Sequence, residues 1–242
     1  MPMPIHPAAA TGFARAADAY ERGRPRYPAD AIEWLAGFLA EPVVDLAAGT
    51  GVLTRELTAR GLAVVAVEPV AEMRALIGGG STVLDGTAEA IPLPDASAGA
   101  VTVGQAFHWF DVARALAEIT RVLRPGGVLA LLFNRRRMED EIHVRIQELL
   151  APWRGDVPAH TDGPWRTALD ASTLVEAVET RTFDNAQRLD GDGLVDRFGS
   201  VSFVASLGDD ARAELHAAVR ALAGGRTVTL RYRTEVEILR PV

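Results

Sequence analysis

The run PVVDLAAGTG, Pro42 to Gly51, decides the fold. Its apolar start and glycine-rich end read as a short strand turning into a loop. VLTRELTARG follows, with Leu53 and Leu57 on one helical face and Gly61 as the stop. LAVVAVEP is a second apolar run without polar alternation, as expected of a strand buried on both faces.

The same alternation continues outward. VAEMRALIGGG predicts a helix stopped by glycines, TVLDGT a third strand and GAVTVGQAF a fourth. DVARALAEITRVL carries Val112, Leu116, Ile119 and Leu123 at helical spacing, PGG ends it, and VLALLFN is a fifth strand. Strand and helix alternate from about residue 42 to 134, which predicts a parallel sheet wrapped by helices. Right-handed crossovers put the carboxyl ends of the strands on one edge, and ligands bind there where strand order reverses. FHWFD, Phe107 to Asp111, falls on that edge.

The flanks complete one domain over 1–242. Residues 1–40 form a helical lid: PADAIEWLAGFLA has Ile32, Leu35 and Leu39 at helical spacing, while Pro25 and Pro28 interrupt YERGRPRYP before it. Residues 41–134 are the core, and 135–180 a small helical cap insertion drawn from EDEIHVRIQELL and TALDASTLVEAV. Residues 181–242 add ETRTFDNAQRL and RTVTLRYRTEVEIL as late strands, with two helices near 193–223 between them. The expected class is α/β: a Rossmann-like, seven-stranded, mostly parallel sheet with helices on both faces.

Composition narrows the chemistry. At 242 residues and 48% hydrophobic, the chain can bury a substantial core. A formal charge of −7 argues against a general nucleic-acid binder. No apolar stretch reaches the ~18 residues of a membrane span. The start, MPMPIHPAAATGFARA, lacks the charge and apolar pattern of a signal peptide, so the expected location is the cytoplasm. With no cysteine, thiolate chemistry and cysteine zinc sites are excluded. All 25 basic residues counted as lysine or arginine are arginine, which excludes Schiff-base lysine chemistry. His6, His108, His143, His160 and His216 show no metal-ligand spacing, so no metal is expected.

The loop Asp45 to Gly51 names a cofactor class. Gly49 and Gly51 let backbone approach a ligand, and the helix amino end adds exposed N–H groups. Glu68, ending the second strand, can accept both hydroxyls of a ribose. A nicotinamide cofactor wants G-x-G-x-x-G, and here the third glycine is missing. Asp45 would repel a pyrophosphate and attract the ammonium of an amino-acid tail. That charge logic points to S-adenosylmethionine, with S-adenosylhomocysteine as product.

VVDLAAGTG, VAVEPVAEM, GTAEAIPLPDAS, GQAFHWFD and EITRVLRPGGVLAL, in this order, resemble a class I S-adenosylmethionine-dependent methyltransferase of the type 11 family. YERGRPRYP resembles the lid segment of the trans-aconitate methyltransferase-like branch. The resemblance implies that Asp45, Gly49 and Gly51 meet the methionine tail and Glu68 the ribose. It implies Thr87 and Ala88 at the adenine edge, and Gln105 and Ala106 under the sulfonium. Ala47 stands where the family usually has glycine, and Gly99 where it commonly has an acid.

Within FHWFD, Asp111 is expected to cap the next helix. Trp109 would stabilise the sulfonium charge and His108 would act as general base toward a hydroxyl; a carboxylate acceptor would need no base. Tyr20 and Tyr27 would close the lid, with Arg24 or Arg26 facing an acidic substrate. Arg135 to Arg137 read as a solvated run, and Trp153 and Trp165 as core or pocket lining. The expected activity is methyl transfer to a small-molecule acceptor at a carboxylate or hydroxyl oxygen, by a monomer or homodimer. A non-catalytic S-adenosylmethionine-binding protein and a nicotinamide oxidoreductase are the alternatives.

Overall fold

The computed structural model describes residues 17–78, 80–155 and 163–242. His6, His160, the first part of the expected lid and the middle of the expected cap lie outside them. A helix over 17–23 (α1) precedes α2 (Ala29–Ala36). Then come β1 (Val43–Leu46), α3 (Val52–Thr58), β2 (Val64–Val67), α4 (Ala71–Arg74), β3 (Thr82–Leu84) and β4 (Ala98–Gly104). A 3-10 turn at Phe107–Trp109 leads into α5 (Val112–Val122) and β5 (Leu123–Arg136). The rest is α6 (Glu141–Leu150), α7 (Pro164–Asp170), β6 (Val175–Leu189), α8 (Gly191–Gly199), α9 (Ser202–Ala205), α10 (Asp209–Ala221) and β7 (Val228–Pro241).

The sheet has seven strands in the order β3-β2-β1-β4-β5-β7-β6. Neighbours from β3 to β5 are parallel, and β7 runs antiparallel to both β5 and β6. Period-two alternation divides the apolar side chains between the faces. Val44, Leu46, Val101, Val103, Leu129 and Leu131 meet α5 and α7, whereas Val43, Ala100, Val128, Ala130 and Leu132 meet α2 and α3. A third cluster joins α6, α8 and α10 to Leu230 and Tyr232 of β7. Among the described residues no helix is long and apolar enough to cross a membrane.

The expected cap dissolves into other layers. α6 joins the third cluster, while α7 packs Trp165 and Leu169 against the first core face. The segment VEAV is strand, not helix: β6 begins at Val175 and pairs with β7 from Val175 to Leu189. Cross-strand pairing outweighs the helical pattern of a short stretch. Trp153 is 40% exposed, and Trp165 is buried in edge contact with Phe107 at 5.9 Å. Neither tryptophan lines the cavity described below.

Gly99 has a steric reason. A Cβ there would sit 2.3 Å from the carbonyl oxygen of Ala40, so an acid cannot replace it without moving the β1 approach.

Candidate functional site

Strand order reverses between β1 and β4, and a cavity of about 170 Å³ lies off their carboxyl ends. β1 delivers Asp45 and Ala47 to it, the following loop Gly49, β2 Glu68, and the turn after β3 Thr87 and Ala88. The end of β4 delivers Gln105, Ala106 and Trp109. Tyr20, Arg24 and Tyr27 cover the other side. Met73 and Glu89, from the VAVEPVAEM and GTAEAIPLPDAS motifs, also line it, as do Leu53, Asn134 and Arg197, which no motif announces.

Gly51 does not line the wall. It is the left-handed residue that starts α3, at φ +83°, and a side chain there would press on Ile77. Its contribution is to the turn rather than to contact. His108 is also absent from the wall: its ring packs 5.0 Å from Trp109 and 6.3 Å from Phe133. The expected general base thus stands beside Trp109 of the wall rather than on the wall itself. Asp111 caps α5 as expected, accepting from the Arg114 N–H at 3.3 Å.

The two acids at the ends of β1 and β2 are buried. Asp45 is 1% exposed; its oxygens accept from the Thr54 hydroxyl at 2.6 Å and the Thr102 hydroxyl at 3.2 Å. Burial pushes its carboxyl up to about 6, against those hydrogen bonds. Glu68 is 4% exposed and accepts from the N–H groups of Gly49 and Val70, both at 2.9 Å. Burial raises its pKa too, and the two N–H donors oppose the rise. Glu68 thus braces the glycine loop from the next strand.

Two residues at the cavity other than glycine hold left-handed backbone: Ala47 at φ +54° and Gln105 at φ +62°. An L residue there costs about 1–2 kcal/mol, and such strain gathers at functional sites. Ala47→Gly should therefore raise the melting temperature by about 2–4 °C for each kcal/mol relieved. A fall on thermal unfolding would show that the Ala47 methyl packs more favourably than its backbone is strained.

The segment carrying Tyr20 to Tyr27 is tied down on both sides. Glu21 accepts from the Thr50 hydroxyl at 2.5 Å and pairs with Arg55, joining α1 to the glycine loop. Arg22 forms a bidentate pair with Asp196 of α8 at 2.8 and 2.9 Å. Gln187 donates to the Gly23 carbonyl at 2.9 Å and Asn185 to that of Arg26 at 2.8 Å. Tyr27 is 8% exposed, and a Cβ on Gly104 would lie 2.5 Å from its hydroxyl, which accounts for that glycine.

An acid at the end of each of the first two strands, a glycine turn and a strained β4 terminus around one switch-point cavity make the site of a nucleoside-dependent transferase. Residues 44–131 match the family described as methyltransferase domain. Over 194 residues the chain is 42% identical to an uncharacterized methyltransferase of Mycobacterium bovis, covering 79% of this chain and 76% of that one. A solved structure from Anaeromyxobacter dehalogenans, a candidate type II methyltransferase, is 27% identical. It superposes at a TM-score of 0.67 over 90% of this chain and 97% of its own. A Geobacter sulfurreducens methyltransferase solved with S-adenosyl-L-homocysteine shares the fold, at 20% identity and a TM-score of 0.55 over 96% and 98% of the two chains. The chain belongs to the methyltransferase domain family, as an enzyme whose methyl donor is S-adenosylmethionine.

Proposed function

We propose that the chain methylates an oxygen of a small-molecule acceptor. The observation that carries this reading is the cavity wall itself: among the described residues it holds no histidine to deprotonate an acceptor, and its acids beyond Asp45 and Glu68 are Glu89, which accepts from the Asp111 N–H at 3.1 Å, and Asp111, which caps α5. An acceptor that is already an oxygen anion suits such a wall. Its oxygen attacks the methyl carbon, and the C–S bond breaks with its electron pair passing to sulfur. S-adenosylhomocysteine and the methylated acceptor leave, and no proton moves.

The residues fit the cofactor. Asp45 faces its ammonium, the Gly49 turn admits its methionine tail, and Glu68 keeps lone pairs for the ribose beyond the two N–H groups it already holds. Thr87 Oγ1 and Gln105 Nε2 are buried without a hydrogen-bond partner among the described residues, as groups awaiting a ligand would be. Thr87 and Ala88 meet the adenine edge, and Gln105 and Ala106 the sulfonium side, with Trp109 offering an aromatic face. Tyr20, Arg24 and Tyr27 form the lid. The chain acts as one domain, as monomer or homodimer, in the cytoplasm.

Calorimetric titration with S-adenosylmethionine, S-adenosylhomocysteine and NAD, followed by label transfer to a mixed acceptor panel, tests the reading. Binding of the first two and transfer to oxygen support it; transfer only to nitrogen or carbon overturns the oxygen assignment. His108→Ala should leave turnover within about threefold of wild type across pH, because a general base is worth roughly 10²–10⁴. A loss of that size would return His108 to the reaction.

A further inference from the structure

We propose that the side-chain amides of Asn134, Asn185 and Gln187 form a latch that holds the lid on the cavity, and that the cofactor and its product come and go by release of that latch. The three are positioning residues, and the inference holds whichever atom of the acceptor takes the methyl group.

The need for a latch starts in GRPRYP, Gly23 to Pro28. Pro25 and Pro28 carry no N–H, and the last N–H of α1 in the ladder is that of Arg24, which donates to the Tyr20 carbonyl at 3.0 Å. The carbonyls of Gly23, Pro25 and Arg26 thus lie past the helix, with no following turn of N–H groups to meet them. Taken out of water unpaired, each would cost stability. Each meets a side-chain amide instead. Gln187 Nε2 donates to the Gly23 carbonyl at 2.9 Å, Asn134 Nδ2 to that of Pro25 at 3.4 Å and Asn185 Nδ2 to that of Arg26 at 2.8 Å. The Arg26 guanidinium is engaged by Glu21 at 3.1 Å and does not line the cavity.

The amides come from strands far from the lid in sequence. Asn134 belongs to β5, while Asn185 and Gln187 stand two apart on β6 and so share a face. Thr234 of β7, in register with Asn134, ties the strands together. Its hydroxyl donates to Asn134 Oδ1, which also accepts from Asn185 Nδ2 at 3.0 Å. A backbone carbonyl can only accept, so the Arg26 carbonyl fixes which end of Asn185 is nitrogen and the Pro25 carbonyl does the same for Asn134. Both amide orientations are thereby set, and Asn134 Oδ1 is left to its two donors. Asn134 and Thr234 are buried, and a buried network whose members are all paired holds one geometry.

What the latch holds is part of the cavity wall. Pro25 and Tyr27, on either side of Arg26, line the cavity, as do Tyr20 and Arg24. Asn185 and Gln187 do not line it, so they act on a bound nucleoside only through the lid. The latch bonds involve no atom of the cofactor and are the same with the cavity full or empty. A weaker latch therefore raises the open fraction in both states. Association and release both quicken, while Kd stays where it was. Loss of a direct ligand contact would instead speed release alone.

The test uses the full chain with Asn185→Asp and Gln187→Glu, each of which keeps the size of the side chain and removes its donor. Asn185→Ala and Gln187→Ala repeat the comparison without a new charge. Stopped-flow mixing measures association and release of S-adenosylhomocysteine, and amide hydrogen exchange follows residues 20–28. One lost hydrogen bond should raise the open fraction about fivefold. Exchange over 20–28 should then be about fivefold faster in each variant, and the association and release rates both about fivefold higher, with Kd within about threefold of wild type. Exchange over Val43–Leu46 and Ala98–Gly104 should stay as it is in wild type. Unchanged exchange over 20–28 would show that the amides do not hold the lid and would overturn the proposal. Faster exchange there with unaltered ligand rates would overturn the lid as the route of the cofactor. Faster release without faster association would make the effect a lost contact, and acceleration of β1 and β4 to the same degree would make the amides a support of the whole sheet; either result overturns the latch.

Discussion

Asp45→Asn is expected to melt at a higher temperature than wild type at pH 7 to 8 and to lose most of its affinity for S-adenosylmethionine. The Asp45 carboxyl stands at about 6 in the folded chain against an ordinary 3.8. Between those values the folded state keeps a proton that the unfolded state has given up. Stability therefore falls as pH rises through this window, and the full penalty is present above pH 6. A rise of this size corresponds to about 3 kcal/mol. Asparagine carries no such penalty, although it accepts less well from Thr54 and Thr102. The gain should shrink toward zero as pH is lowered past 4. Binding moves the other way, because removing one partner of a buried charge pair costs about 2–5 kcal/mol. In wild type, affinity should be about tenfold weaker at pH 5 than at pH 7, following the protonation of Asp45. Urea titrations at several pH values and calorimetry check both halves. A mutant less stable than wild type at pH 8 would show that the two threonine hydroxyls outweigh the burial of charge.

Glu68→Ala should fail on both counts. The carboxylate holds the Gly49 and Val70 N–H groups, and losing it leaves two donors without their acceptor. Each lost partner costs about 1–3 kcal/mol, partly offset by relief of the buried charge. The Gly49 turn then loses its brace and the ribose its acceptor, so binding should weaken by about 100-fold or more, the equivalent of roughly 3 kcal/mol. Glu68→Gln retains one acceptor oxygen and separates the two effects: most of the stability should return and little of the affinity. If Glu68→Ala binds S-adenosylhomocysteine as wild type does, Glu68 has no part in the ribose site.

The parallel core was legible because each of its signals is local. Unbroken apolar runs such as Val64 to Val67 need both sheet faces covered, and Gly51 and Gly61 mark the ends of one helix at left-handed φ. Asp45, Ala47, Gly49, Glu68, Thr87, Ala88, Gln105 and Ala106 all reach the cavity because a parallel sheet aligns its strand ends. What lay beyond local signals depended on distant partners. β6 starts early because β7 is there to pair with it. His108 turns from the wall because the 3-10 turn sends its ring toward Phe133. Arg197 enters the site through contact between α1 and α8, where a Cβ on Gly23 would lie 2.4 Å from the Asp196 backbone. No spacing within α8 announces that.

Strand β6 has a consequence for how the protein behaves at high concentration. It closes the sheet order, so among the described residues one long row of its amides and carbonyls has no neighbouring strand. Such an edge is a template on which another chain can stack. Along it the exposed positions include Glu176, Glu179, Arg181, Asp184 and Arg188. A second copy laid against this rim would have to desolvate those charges and set several of the same sign against each other. A rim of this composition opposes such stacking, and neutralising these side chains would invite fibrous or amorphous self-association before it disturbed the cavity at the centre of the sheet.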